Sequence, residues 1–172
     1  MAARIMAHSE DMAYVEQELS KRCDTMRLVD SCSLIKMAKN GVDIMGTLYT
    51  TPALKEGEMA VHETTGKLPE GMLQNVMIVP HVRGVDYMKI KEDLIHAAYE
   101  VLSEKKQTRD PISQEDLGLA VEAVRQAKAG RCVTVLSEDE HVYAPLARLL
   151  ETDGYKKFAS AIEIMRIREL CG

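Results

Sequence analysis

The chain has no tryptophan and a single phenylalanine among its 172 residues, against 11 methionines. A core so short of aromatic rings must be filled by aliphatic side chains and by methionine, whose flexible thioether fits irregular gaps. The same inventory suits a methionine-lined binding surface. Cysteine is sparse: Cys23, Cys32, Cys132 and Cys171 form no C-x-x-C pair, which excludes a zinc ribbon and a dithiol redox motif. Four free thiols in a reducing, cytoplasmic setting are the expectation. No apolar run approaches the roughly 20 residues of a membrane span. Met1 to Ala7 carries one arginine and a short apolar stretch before Glu10 and Asp11, too little for a secretory signal. No membrane contact is expected.

Positive charge is also in deficit. Lys and Arg number 22 against 27 Asp and Glu, a net charge of -5. A nucleic-acid partner normally requires a basic field to neutralise phosphates, so none is expected. Several motifs are absent. Gly66-Lys67 is followed by Leu68 and lacks the glycine five residues before Gly66, so it is no P-loop. Ser33-Leu34-Ile35-Lys36 matches S-x-x-K, but the companion S-D-N and K-T-G elements are missing. No G-x-G-x-x-G follows the first strand-like run, which leaves dinucleotide binding unsupported. No Cys-x5-Arg loop follows Cys32. His8, His81 and His141 can meet with acidic residues, yet no H-x-x-x-H or H-E-x-x-H spacing occurs and no metal site is assigned. No cofactor is assigned either.

What is present is a core-forming inventory, 46% hydrophobic, arranged as short β-type runs alternating with helix-type runs. This predicts one α/β domain over 1–172, with a mostly parallel central sheet of about five strands flanked by helices in three layers, Rossmann-like or flavodoxin-like. Strands are expected at Arg4–Ala7, Thr25–Val29, Val42–Tyr49, Asn75–Val79 and Arg131–Leu136. Ser9 is placed to cap a first helix carrying Met12, Val15 and Leu19. Asp30, Ser31 or Ser33 caps a short helix ending at Asn40-Gly41. Asp86 caps a long helix with Ile90, Leu94, Ala97, Val101 and Leu102 inward. Ser113 with Asp116 opens another, closed by Gly130. Pro145 is expected in the first turn of the next helix, which stops at Asp153-Gly154, and a final helix from Tyr155 turns Phe158, Ile162 and Met165 inward. Residues 52–72 read as a loop or flap, within which Glu58–Glu63 also suits a strand or the end of a short helix, and 103–112 as a polar linker.

Polar, chemically useful residues follow every strand. If the strands are parallel, these converge on one edge, where open α/β sheets bind ligands. The candidate catalytic residues are His81 and His8 as acid or base and Cys32 as a thiolate nucleophile or acceptor at a helix N-terminus. Asp30, Ser31, Ser33, Thr50, Thr51, Ser137 and His141 are the candidate ligand-binding residues, with Arg83 as an anion clamp. The leading expectation is binding of a small anionic ligand, nucleotide-like or phosphorylated, at this edge, with or without catalysis. The alternative is a non-catalytic regulatory or structural subunit packed against a partner chain. A second apolar face on the final helix, Ile164 with Ile167, suggests a homodimer.

Overall fold

The computed structural model describes residues 4–6, 25–42, 47–105 and 113–166. Their order is β1 (Arg4–Met6), β2 (Met26–Val29), α1 (Ser31–Lys39), β3 (Leu48–Thr50), a π-helical stretch Leu54–Met59 running into α2 (Ala60–Thr64), and a 3-10 turn at Met72–Asn75. There follow β4 (Val76–Ile78), α3 (Tyr87–Glu104), α4 (Gln114–Lys128), β5 (Val133–Leu136), α5 (Glu140–Leu149), a 3-10 turn at Lys156–Phe158 and β6 (Ile162–Met165). The strands form one sheet in the order β1-β6-β5-β2-β3-β4, with every neighbouring pair parallel. The protein is an α/β fold with helices flanking a parallel sheet.

Parallel strands covered on both faces must be apolar nearly throughout, and the central strands obey this. All four residues of β5 are buried, and in β2 Leu28 and Val29 are fully enclosed. Thr134 in β5 and Arg27 in β2 are exceptions: Arg27 is fully buried, and its Nη2 donates to the Thr47 carbonyl at 3.3 Å. Helices α3, α4 and α5 pack on one another, and α4 lies against β2, β5 and β6. Crossovers between parallel strands are right-handed, which puts α1 and α5 on opposite faces, because β2 leads to β3 on one side and β5 leads to β6 on the other. The chain thus reverses direction between β2 and β5.

The helix ends match their sequence signals. Asp30 accepts from the Ser33 N–H at 2.8 Å, Asp86 from the Lys89 N–H at 3.1 Å, and Ser113 from the Asp116 N–H at 3.2 Å. Gly130 follows α4 at φ 91°, a conformation only glycine adopts cheaply.

Three expectations are corrected. The segment from Tyr155 is a 3-10 turn followed by strand β6, not a helix. Ile162, Ile164 and Met165 lie between β5 and β1 and are essentially inaccessible, so the apolar spacing of a doubly covered strand imitates a helical face. Ile164 therefore belongs to the core. Ile167 lies outside the described residues, and the second apolar face that suggests a homodimer is withdrawn. Residues 54–64 are helical where the sequence predicts a loop. Helix α5 begins at Glu140, capped by Asp139, so Pro145 sits inside it and not in its first turn. Of the polar linker, 106–112 lies outside the described residues, as do His8 and the expected first helix. Among the described residues no helix is long and apolar enough to cross a membrane.

Candidate functional site

A strand order that reverses between two neighbours leaves a crevice beyond their carboxyl ends, because the two following loops diverge. Here those neighbours are β2 and β5, and the first residues past them are Asp30 and Ser137. The two meet directly: Ser137 Oγ donates to Asp30 Oδ2, while Asp30 Oδ1 takes the Ser33 N–H. Ser137 also accepts from the Asp139 N–H at 3.2 Å, and Asp139 Oδ1 accepts from the His141 N–H at 2.8 Å. A continuous polar chain therefore crosses the crevice from the start of α1 to the start of α5. Beside it, Lys36 of α1 forms an ion pair with Glu138, the residue between Ser137 and Asp139.

Two further acidic residues reach this place from other elements. Asp116, in the first turn of α4, is half-buried, and its carboxyl is pushed up to about 6 by burial and by the charges of Asp139, Asp30 and Glu58. Glu58 comes from the π-helical stretch after β3. Asp30 is 3% exposed; burial raises its carboxyl, opposed by hydrogen bonds from Ser137 and Ser33. The charges of Asp30, Glu58 and Asp139, from three other segments, all act on Asp116. Among the described residues no three His, Cys, Asp or Glu side chains stand ready at ligating distance from a common point. Ser31 adds a buried hydroxyl that has no hydrogen-bond partner among the described residues.

The residues singled out in the sequence divide into groups. Asp30, Ser31, Ser33, Ser137 and His141 lie at the β2/β5 crevice. Thr50 and Thr51 end β3 next to it, with their side chains engaged in the fold: Thr50 Oγ1 donates to the Val29 carbonyl at 3.0 Å, and Thr51 Oγ1 accepts from the Leu54 N–H at 3.3 Å. Cys32 is exposed in the first turn of α1, but burial of its sulfur and the charges of Asp30, Glu58 and Asp139 push its thiol up. The helix N-terminus does not overcome four sources acting the other way. His81 and Arg83 are exposed on the loop after β4. That loop is tied to α4, where Gln126 Nε2 donates to the Pro80 carbonyl at 3.0 Å and Arg125 Nη2 to the Val82 carbonyl at 3.1 Å. Neither side chain is bonded to the crevice carboxylates.

The sequence does not single out Glu58, and it shows Asp139 only within a charge run. Asp116 reads there as part of a cap, and its own hydroxyl partner Ser113, at 2.8 Å, is that cap. A sequence signal exists for three of them: Asp30, Asp116 and Asp139 stand at or near the start of a helix. Nothing in one sequence says that separate helices begin at the same place, and Glu58, within Leu54–Met59, carries no such signal. No family model, no curated protein and no solved structure matches the chain.

Proposed function

We propose that the β2/β5 crevice binds a small ligand that presents hydrogen-bond donors or positive charge to an acidic lining. The observation that carries this reading is the convergence of Asp30, Glu58 and Asp139 on Asp116, whose carboxyl is raised to about 6, first by burial and then by those three charges. Capping accounts for Asp30 and Asp139 one at a time. It does not account for bringing four like charges together, an arrangement that opposes folding and is a mark of functional sites. Among the described residues no group of three His, Cys, Asp or Glu can hold a metal ion, so no cation is assigned to the crevice.

In this reading Asp30, Asp116 and Asp139 supply the acceptor oxygens, and Ser137 orients Asp30 through its hydrogen bond. An acidic lining repels anions, so the small anionic ligand expected from the sequence gives way to a neutral or cationic one. Cys32, His81 and Arg83 have no role in this recognition.

The test is a thermal-shift screen with polyamines, amino sugars and nucleosides at pH 7.5, because a ligand selective for the native state raises Tm. A rise with at least one donor-bearing compound is expected, and it should be lost in Asp139→Asn. No shift with any of them at millimolar concentration, or an equal shift in Asp139→Asn, would refute the reading.

A further inference from the structure

Strand β4 ends the sheet. It pairs with β3 on one side, and among the described residues nothing pairs with it on the other. The Val79 N–H donates to the Thr50 carbonyl at 3.0 Å, so Met77 and Val79 turn their backbone groups toward β3. By the alternation of the ladder, Val76 and Ile78 turn theirs to the open edge. That edge is short. The Val76 N–H is spent on the Leu73 carbonyl, while Pro80 has no N–H and its carbonyl takes Gln126 Nε2 at 3.0 Å. This leaves one outward donor, the Ile78 N–H, with the Val76 carbonyl two residues before it. Met77 and Ile78 are 50% and 38% exposed, neighbouring large apolar side chains on the kind of edge that native proteins blunt with charge. Yet no residue from Gly71 to Pro80 is charged, in a chain with a net charge of -5. A cavity of about 490 Å3, lined by Leu34, Leu48, Met72, Gln74 and Met77 with others, opens beside the strand.

We propose that the β4 edge is an interface with a second copy of this chain, the two β4 strands pairing antiparallel across a two-fold axis at Met77. Such pairing joins the Ile78 N–H of each copy to the Val76 carbonyl of the other, so the one donor and its matching acceptor are used twice. It sets the two Met77 side chains opposite each other as a non-hydrogen-bonded pair, where antiparallel strands come closest. Each flexible thioether then lies within reach of the other copy's cavity. Charge and length select this occupant. Two uncharged edges meet without like-charge contact, whereas an acidic chain brings net negative charge together elsewhere on its surface. A longer foreign strand would find three residues to pair with and leave the rest of its backbone unmatched. A two-fold contact is also closed, so it makes a dimer and no filament. The dimer so assigned uses the sheet edge and not the segment around Ile164.

The contact is small, so dissociation in the micromolar range is expected. Sedimentation equilibrium across that range measures the wild type, Met77→Lys and Ile78→Pro, with circular dichroism to establish that each is folded. The wild type should show a monomer–dimer equilibrium. Ile78→Pro removes the outward donor while sparing the ladder to β3, and should weaken association by about 30-fold, the scale of two hydrogen bonds per dimer. Met77→Lys sets like charges opposite each other at the axis and should leave a folded monomer. Should either variant not fold, a cross-link decides. In this register the Cα atoms of Met77→Cys stand about 4.5 Å apart in the dimer, within disulfide range, and mild oxidation should give a covalent dimer. The wild type, with its exposed Cys32 and Cys132, and Tyr99→Cys, exposed on α3, set the background. A wild type that is monomeric throughout, or a dimer that persists undiminished in Met77→Lys and Ile78→Pro, overturns the proposal. So does oxidation that links Met77→Cys no faster than Tyr99→Cys.

Discussion

Asp116→Asn offers the most direct access to the energetics of the crevice. The carboxyl is raised from 3.8 to about 6, so the folded state prefers it neutral. A raised acid contributes stability that is full below 3.8 and is lost as pH rises through about 6. At about 1.4 kcal/mol for each tenfold change in proton affinity, the raise corresponds to roughly 3 kcal/mol lost by neutral pH. Asp116 is only part-buried, and solvent screening reduces this to about 1.5 kcal/mol. The start of α4 attracts the charge and offsets about 0.5 kcal/mol more. An asparagine at this position keeps the shape without the charge, so the variant should be more stable than the wild type by about 1 kcal/mol at pH 7.5, a rise in Tm of about 2–4 °C for a chain of this size. The two should converge near pH 4. Urea and thermal unfolding at pH 4, 6 and 7.5 measure this. A variant less stable than the wild type by the same amount at every pH would refute the reasoning and leave Asp116 as a cap.

Two further outcomes follow from burial and charge. Cys32, although exposed, should alkylate no faster near pH 7.5 than Cys132, because thiolate content controls the rate and its thiol is pushed up by burial and by its acidic neighbours; mass-spectrometric mapping of a timed iodoacetamide reaction reads this, and selective labelling of Cys32 would contradict it. Ile164→Glu should unfold the protein without yielding a folded monomer, since Ile164 is fully buried between β5 and β1. An uncompensated buried charge is costly enough to exceed the stability of most domains. Circular dichroism and sedimentation together distinguish the outcomes.

The local events of this fold are legible in the amino-acid sequence because short-range chemistry decides them. Asp30, Asp86 and Ser113 each carry an oxygen that satisfies an amide of their own first turn, and Gly130 supplies the left-handed residue that ends α4. Apolar runs bounded by such signals mark β1, β2, β4 and β5, overlap β3 only at Leu48 and Tyr49, and mark the parallel α/β class. Where burial on both faces removes the polar half of the pattern, periodicity stops distinguishing strand from helix, and β6 reads as a helix for that reason. Assembly of the site is not legible at all. Asp30, Glu58, Asp116 and Asp139 are scattered along the chain, Ser137 and Asp30 lie 107 positions apart, and Asp30, Asp116 and Asp139 each look like an ordinary helix start in their own neighbourhood while Glu58 reads as loop. Only the reversal of strand order between β2 and β5 brings those starts to one crevice, and strand order is fixed by which sheet faces the helices cover, a property of the whole packed chain.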